Sequence, residues 1–173
     1  MGKIRNVLFL CSGNTSRSHA AEYIAKWLKE TKFREQLKDV NFDSGGLYSY
    51  YKQPQDPTAK YLKSRNIDFS DFEGKQIDLE LIKKQDLILG FEEKWHKTKL
   101  IRRFKNLKDL NKKTFLLLEF VGENENIELI DPINLPEDEY NKILEKIEYG
   151  VEKALKKIIN INEKEEEKNN KKD

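Results

Sequence analysis

The one cysteine of the chain is followed six positions later by an arginine, in the stretch Cys11-Ser12-Gly13-Asn14-Thr15-Ser16-Arg17-Ser18. A cysteine thiolate is a strong nucleophile, and a guanidinium can fork two N–H donors onto two oxygens of one anion. The residues between them are small and polar. Such a stretch turns tightly, and a tight turn feeding a helix gathers backbone N–H groups, backed by the helix dipole, around a phosphate-sized anion. The same positive end favours a thiolate over a thiol. Cys11 is thus a candidate nucleophile, Arg17 a candidate clamp, and Ser12, Gly13, Asn14, Thr15, Ser16 and Ser18 a candidate phosphate cradle. These residue types also have plainer uses. A lone cysteine can be a small buried hydrophobe, and an arginine in a first helical turn can be a solvated surface residue. The residues alone leave both readings open.

The elements around this stretch have to position it. Val7-Leu8-Phe9-Leu10 is an apolar run of strand length, suited to burial on both faces. From Ala20 onward, Ala20, Tyr23, Ile24, Trp27 and Leu28 form one helical stripe, so Arg17 and Ser18 fall in the first turn. Val40-Asn41-Phe42 reads as a second strand ending at Asp43-Ser44-Gly45-Gly46, whose paired glycines permit conformations that other residues resist. Strand, helix and strand make a parallel unit, and ligands of such sheets collect at the carboxyl ends of the strands. The loop 44–57 is therefore expected beside the Cys11 loop, carrying the aromatics Tyr48, Tyr50 and Tyr51. Asp56-Pro57-Thr58 opens a helix to about Arg65, and Asp78 to Lys84 makes a short one. Asp86 to Phe91 is a third strand, and Glu92 to Phe104 an amphipathic helix offering Trp95, Leu100 and Ile101 to the core. His96 lies in this helix without a second histidine or a cysteine at ligand spacing, and reads as a surface residue. Thr114 to Leu118 is a fourth strand. After a loop, Asp131-Pro132 precedes a helix from about Glu137 with Tyr140, Ile143, Leu144, Ile147, Val151, Ala154, Leu155 and Ile158 on one face. Residues 162–173 offer nothing apolar to bury, and are expected as a charged tail, a frayed helix end or disordered, behind a single domain over 1–161.

Length and composition limit the function classes. A chain of 173 residues can bury one sizeable core. Lys and Arg number 33 against 31 Asp and Glu, and their interspersion along the chain implies no polyanionic partner such as nucleic acid. One cysteine makes no intramolecular disulfide. The first strand begins within a few residues of the N-terminus, and no apolar run approaches the roughly 20 residues that cross a bilayer. A soluble, monomeric cytoplasmic protein without membrane partners is the expectation.

Cys-x5-Arg-Ser with Gly13-Asn14 inside it, placed after an apolar N-terminal strand, resembles the low-molecular-weight protein tyrosine phosphatase family. Ser44-Gly45-Gly46 and the later Asp56-Pro57 resemble that family's Ser-Ala-Gly stretch and Asp-Pro. Between these the family places a substrate-lining residue, for which Tyr50 stands here. Asp131-Pro132 occupies the position of the family's general acid, with Phe120-Val121-Gly122 upstream and Asp138-Glu139-Tyr140 downstream similar to bacterial and archaeal members. The resemblance covers about residues 5–160. It implies a single-domain α/β fold, a four-stranded parallel sheet flanked by helices on both faces in the flavodoxin-like three-layer α/β/α arrangement. It further implies hydrolysis of phosphotyrosine in a phosphorylated protein through a cysteinyl-phosphate intermediate, with no cofactor and no metal. The loop would bind phosphate or other oxyanions. Cys11 would be the nucleophile, Arg17 the clamp, and Asp131 the acid and then the base. Ser18 would hydrogen-bond the thiolate, and Asn14 would hold the loop through Ser44.

Several positions depart from the pattern. Ser16 replaces the second loop cysteine of many members, so no loop disulfide can protect Cys11. Thr15 stands where tyrosine phosphatases often carry an aliphatic residue and members resembling protein arginine phosphatases carry threonine. Ile133 and Asn134 follow Asp131-Pro132 where many tyrosine-specific members have aromatics, and His19 takes the place of a usual proline. Phosphoarginine hydrolysis is therefore the nearest alternative. Arsenate reduction through further cysteines is excluded by the cysteine count, leaving only reduction by an external thiol, and a non-catalytic anion-binding module is the remaining reading.

Overall fold

The computed structural model describes residues 2–170. Strand β1 (Asn6–Cys11) leads through the loop 12–16 into helix α1 (Arg17–Thr31) and returns as β2 (Asn41–Gly46). Helices α2 (Asp56–Ser64) and α3 (Leu79–Lys84) precede β3 (Leu87–Gly90). A π-helical turn over Glu93–Lys97 runs directly into α4 (Thr98–Arg103). Strand β4 (Thr114–Leu116), the single turn α5 (Leu117–Phe120) and the long α6 (Glu137–Asn170) complete the order. The four strands form one parallel sheet in the order β2-β1-β3-β4.

Period-2 alternation in β1 assigns the two sheet faces. Val7, Phe9 and Cys11 join the larger core under α1 and α6, where the predicted stripe of α6 from Tyr140 to Ile158 is buried except for Ile143, which is half-buried against it. Leu8 and Leu10 face a smaller core with Ile77, Ile82, Leu100 and Leu110. Both faces of the sheet are therefore covered by helices, which is why β1 reads as an unbroken apolar run.

Four local expectations change. Strand β2 continues through Gly46, which pairs in register with Cys11, so the paired glycines lie inside the strand. Their use is clearance: a Cβ on Gly46 would sit 1.8 Å from the Ser49 carbonyl oxygen and 3.2 Å from the Asn14 nitrogen. Strand β4 stops at Leu116 because the chain turns into α5, whose Glu119 carboxylate accepts the Leu116 N–H at 2.9 Å. Trp95 is 45% exposed and supplies no core, since the wider π-helical turn rotates it outward and turns His96 inward. The stretch 162–170, expected as a frayed end or disordered, continues α6. Its anchor is polar, which an apolar count cannot register. The buried Asn162 carboxamide accepts from the Ile4 N–H at 2.7 Å and donates to the Ile4 carbonyl at 2.8 Å, and Lys3 meets Glu166. Residues 171–173 of the expected tail lie outside the described residues.

His19 is fully buried among aromatic rings. Its ring centroid lies 3.9 Å from that of Phe72 and 4.9 Å from that of Tyr23, and neither ring nitrogen has a hydrogen-bond partner among the described residues. Burial, with Lys26 nearby, lowers its pKa to about 3, and burial also brings His96 to about 3. Below the ordinary histidine value the unfolded chain binds protons that the folded chain refuses, so stability falls as pH falls from about 6.5 toward 3. Each histidine adds about 1.4 kcal/mol per pH unit to that slope. His19→Leu removes one share and an unsatisfied polar ring. Urea unfolding across mildly acidic pH is expected to show a shallower loss of stability by about 1.4 kcal/mol per unit relative to wild type.

Candidate active site

The strand order places β2 and β3 on opposite sides of β1, so connections diverge at the carboxyl ends of β1 and β3 and open a crevice there. The loop 12–16 lies in it. Its carbonyls are drawn outward: Cys11 O accepts from the Leu47 N–H, Ser12 O from Tyr48, Thr15 O from Gln55 and Ser16 O from Ala20. No backbone N–H of Ser12 through Ser16 donates to a protein group among the described residues. Asn14 adopts φ of 50°, the left-handed conformation that asparagine tolerates and that helps successive amides converge.

Asn14 fixes this shape from behind. Its side-chain amide donates to Ser44 Oγ at 2.7 Å and to Ser18 Oγ at 3.1 Å, and its Oδ1 accepts the Lys75 N–H at 2.9 Å. Ser18 Oγ, accepting from Asn14, lies 2.9 Å from Cys11 Sγ, where it can give its own proton to the sulfur. The Ser44 hydroxyl donates to Glu22 Oε2 at 2.5 Å, and Glu22 is also paired with Lys26 at 2.6 Å. Burial raises the Glu22 pKa against the opposing pull of Lys26 and Ser44. The sequence reading anticipated Asn14, Ser18 and Ser44 but missed Glu22. A glutamate within the apolar stripe of α1, five positions after Arg17, was the available signal.

Arg17 is 1% exposed. Its Nη1 donates to Glu92 Oε2 at 2.6 Å and to the Leu129 carbonyl at 2.9 Å, while Nη2 lies 3.0 Å from Asp131 Oδ2. The clamp and acid candidates therefore meet in the cleft that Cys11 also lines. Cys11, Arg17 and Asp131 line one cleft of about 460 Å³ with Ser12, Gly13, Thr15 and Ser16. The second oxygen of Asp131 accepts the Ile133 N–H at 3.2 Å, which fixes the carboxyl on the stiff Asp-Pro turn.

His96 is a correction. It is fully buried, and its Nδ1 accepts the N–H groups of both Phe91 and Glu92 at 3.1 Å. The ring is thus neutral with its proton on Nε2, which donates to Ser12 Oγ at 3.3 Å. It holds the Phe91–Glu92 backbone that leads into its own helical turn and ties the start of the loop to the end of β3. Gly90 leaves the room, since a Cβ there would come within 3.1 Å of the His96 Cβ. Neither this use of His96 nor the role of Glu92 carries a local signal in the sequence.

The walls of the cleft come from Tyr48, Ser49, Tyr51, Gln53, Pro54, Gln55 and Ile133. Tyr50, the expected lining residue, is half-exposed and does not line it; its neighbours on either side do. Tyr51 lies against Gly13, where a Cβ would reach its ring edge at 3.4 Å. Alternation along an extended loop sends Tyr50 outward. The Thr15 hydroxyl donates to the Gln53 carbonyl at 3.0 Å, and Ser16 is held by the buried Tyr140 hydroxyl at 2.6 Å.

A family model described as low molecular weight phosphotyrosine protein phosphatase matches residues 6–167. The chain belongs to this family. It is 27% identical over 153 residues, 88% of this chain and 95% of the relative, to a protein-arginine-phosphatase of Geobacillus stearothermophilus. It is 26% identical over 163 residues, 90% of this chain and 97% of the relative, to the probable low molecular weight protein-tyrosine-phosphatase EpsP of Ralstonia nicotianae. The crystal structure of a low molecular weight protein tyrosine phosphatase from T. tengcongensis superposes with a TM-score of 0.76 at 28% identity, covering 88% of this chain and 99% of that one. The protein is a phosphatase of this family, with the family's parallel α/β fold.

In this phosphatase the buried guanidinium makes Glu92 a support of the cleft. Glu92→Gln keeps an acceptor but removes the charge facing Arg17, and is expected to cost about 2–3 kcal/mol in urea unfolding with an unchanged m value. It is also expected to lower kcat/KM for an aryl phosphate by about 10-fold, because Arg17 loses its fixed orientation.

Proposed function

We propose that the protein hydrolyses phosphotyrosine in protein substrates, with Cys11 as nucleophile. The observation that carries this reading is the convergence of Cys11, Arg17 and Asp131 in one cleft walled by Tyr48 and Tyr51. The Cys11 thiolate attacks phosphorus, the S–P bond forms and the bond from phosphorus to the phenolic oxygen breaks. Asp131, as the carboxylic acid, gives its proton to the leaving oxygen. A water then attacks the cysteinyl phosphate, Asp131 as carboxylate takes its proton, and the S–P bond breaks to release inorganic phosphate and the thiolate. Arg17 and the loop amides bind the equatorial oxygens throughout, while Ser18 donates to the sulfur as it becomes the leaving group. The ring walls suit the flat phenyl group of phosphotyrosine.

Thr15 favours a second reading, phosphoarginine. Its hydroxyl proton is committed to Gln53, which leaves oxygen lone pairs toward the cleft. A guanidinium has N–H groups to donate there, and a phenyl ring has none. Phosphotyrosine and phosphoarginine peptides compared side by side, with wild type and Thr15→Ile, separate the two. The expected result is a preference for phosphotyrosine that survives Thr15→Ile. A preference for phosphoarginine that collapses by about 10-fold or more in Thr15→Ile gives the substrate to the second reading.

A further inference from the structure

We propose that a groove beside the catalytic cleft, lined by Lys99, Arg102 and Arg103, docks an acidic stretch of the substrate polypeptide flanking its phosphorylated residue. The proposal rests on the phosphatase reading above and extends it to substrate choice. The groove has a volume of about 340 Å³, and Leu47 and Tyr48 complete its lining. Tyr48 also lines the catalytic cleft, so the two depressions share a wall and one extended chain can occupy both. The groove is lined by three cations and no acid.

The charge arrangement there differs from that of the rest of the surface. The interspersion of charges that holds along most of the chain fails over residues 94–108, which contain seven Lys and Arg and no Asp or Glu. Among the described residues, Lys94, Lys99, Arg102 and Arg103 take part in no ion pair. The acids that flank this stretch in sequence are committed elsewhere: Glu92 to Arg17, Glu93 to Lys97 and Asp109 to Lys112. Lys94 and Lys99 instead lie over the ring of the exposed Trp95 at 4.9 and 5.8 Å, and the Trp95 carbonyl accepts from the Tyr48 hydroxyl at 3.1 Å. Arg103 donates to the Leu47 carbonyl, which fixes the floor of the groove to the end of β2. Unpaired cations on an ordered platform next to a cleft attract carboxylates of a bound chain and hasten its capture, at a strength that falls with salt.

The test uses fluorescein-labelled phosphotyrosine peptides of equal length, one flanked by runs of Glu and one by runs of Gln. Binding is followed by anisotropy with Cys11→Ser protein, and kcat/KM is measured with wild-type protein. The Glu-flanked peptide is expected to bind about 10-fold tighter at low salt, the ratio shrinking toward one as salt is raised. Adding Lys99→Glu and Arg102→Glu is expected to abolish or invert the ratio; Arg103 is kept because it holds Leu47. Equal binding of the two peptides, or a ratio untouched by the double substitution, overturns the proposal. If wild type hydrolyses neither peptide while the binding ratio holds, the phosphotyrosine reading fails and the docking surface stands.

Discussion

The burial of one guanidinium constrains the rest of the site. Arg17 leaves water at the first turn of α1 and has to find acceptors inside the protein, because an unpaired buried charge is far more costly than any single hydrogen bond is worth. Its acceptors come from two distant segments: Glu92 just after β3, and Leu129 and Asp131 before α6. Satisfying Arg17 therefore draws the Asp131 loop toward the loop that starts at Cys11, and the same bonds border the cleft that both line. The Arg17 charge is thereby a tie between the carboxyl ends of two strands and the last loop.

A second constraint acts on the loop itself. An anion cradle needs backbone amides pointing inward, and amides do so only if the carbonyls between them have partners outside. The segment 47–55 supplies those partners through the N–H groups of Leu47, Tyr48 and Gln55, while the Lys75 N–H holds the Asn14 side chain. The close packing that results leaves no space for a Cβ at Gly46. Behind it, the chain Asn14, Ser44, Glu22 and Lys26 carries hydrogen bonds from the loop into the flank of α1. His96 does the same from the other side, through Ser12.

What the sequence made legible and what it concealed divide along physical lines. The β1-loop-α1 unit, the Asp131-Pro132 turn before the last helix and the face of α6 are local or periodic signals, and they lie where the periodicity and the turn residues put them. Glu92, Glu22 and His96 were not legible, because each matters through partners far away in sequence, and a single residue of those types looks like an ordinary surface side chain. His96 also depends on the π-helical turn, which shifts the helical phase that a 3.6-residue stripe assumes. Tyr50 was one position off for a related reason. The aromatic cluster signalled a wall, but only the backbone path decides which rings face the cleft. The stretch 162–170 was misread because its anchor, Asn162 on Ile4, is polar.

The proposed mechanism turns on transfer of a phosphoryl group to Cys11. Asp131→Ala slows both steps but keeps the nucleophile, and an aryl phosphate with a good leaving group bypasses the acid in the first of them, so the intermediate should accumulate. Acid-quenched Asp131→Ala protein, digested and examined by mass spectrometry, is the direct measurement. One added phosphoryl group is expected on the peptide containing Cys11, absent when Cys11→Ala is also present. Turnover of the same substrate with no phosphoryl group on that peptide, or undiminished turnover in Cys11→Ala, would contradict it.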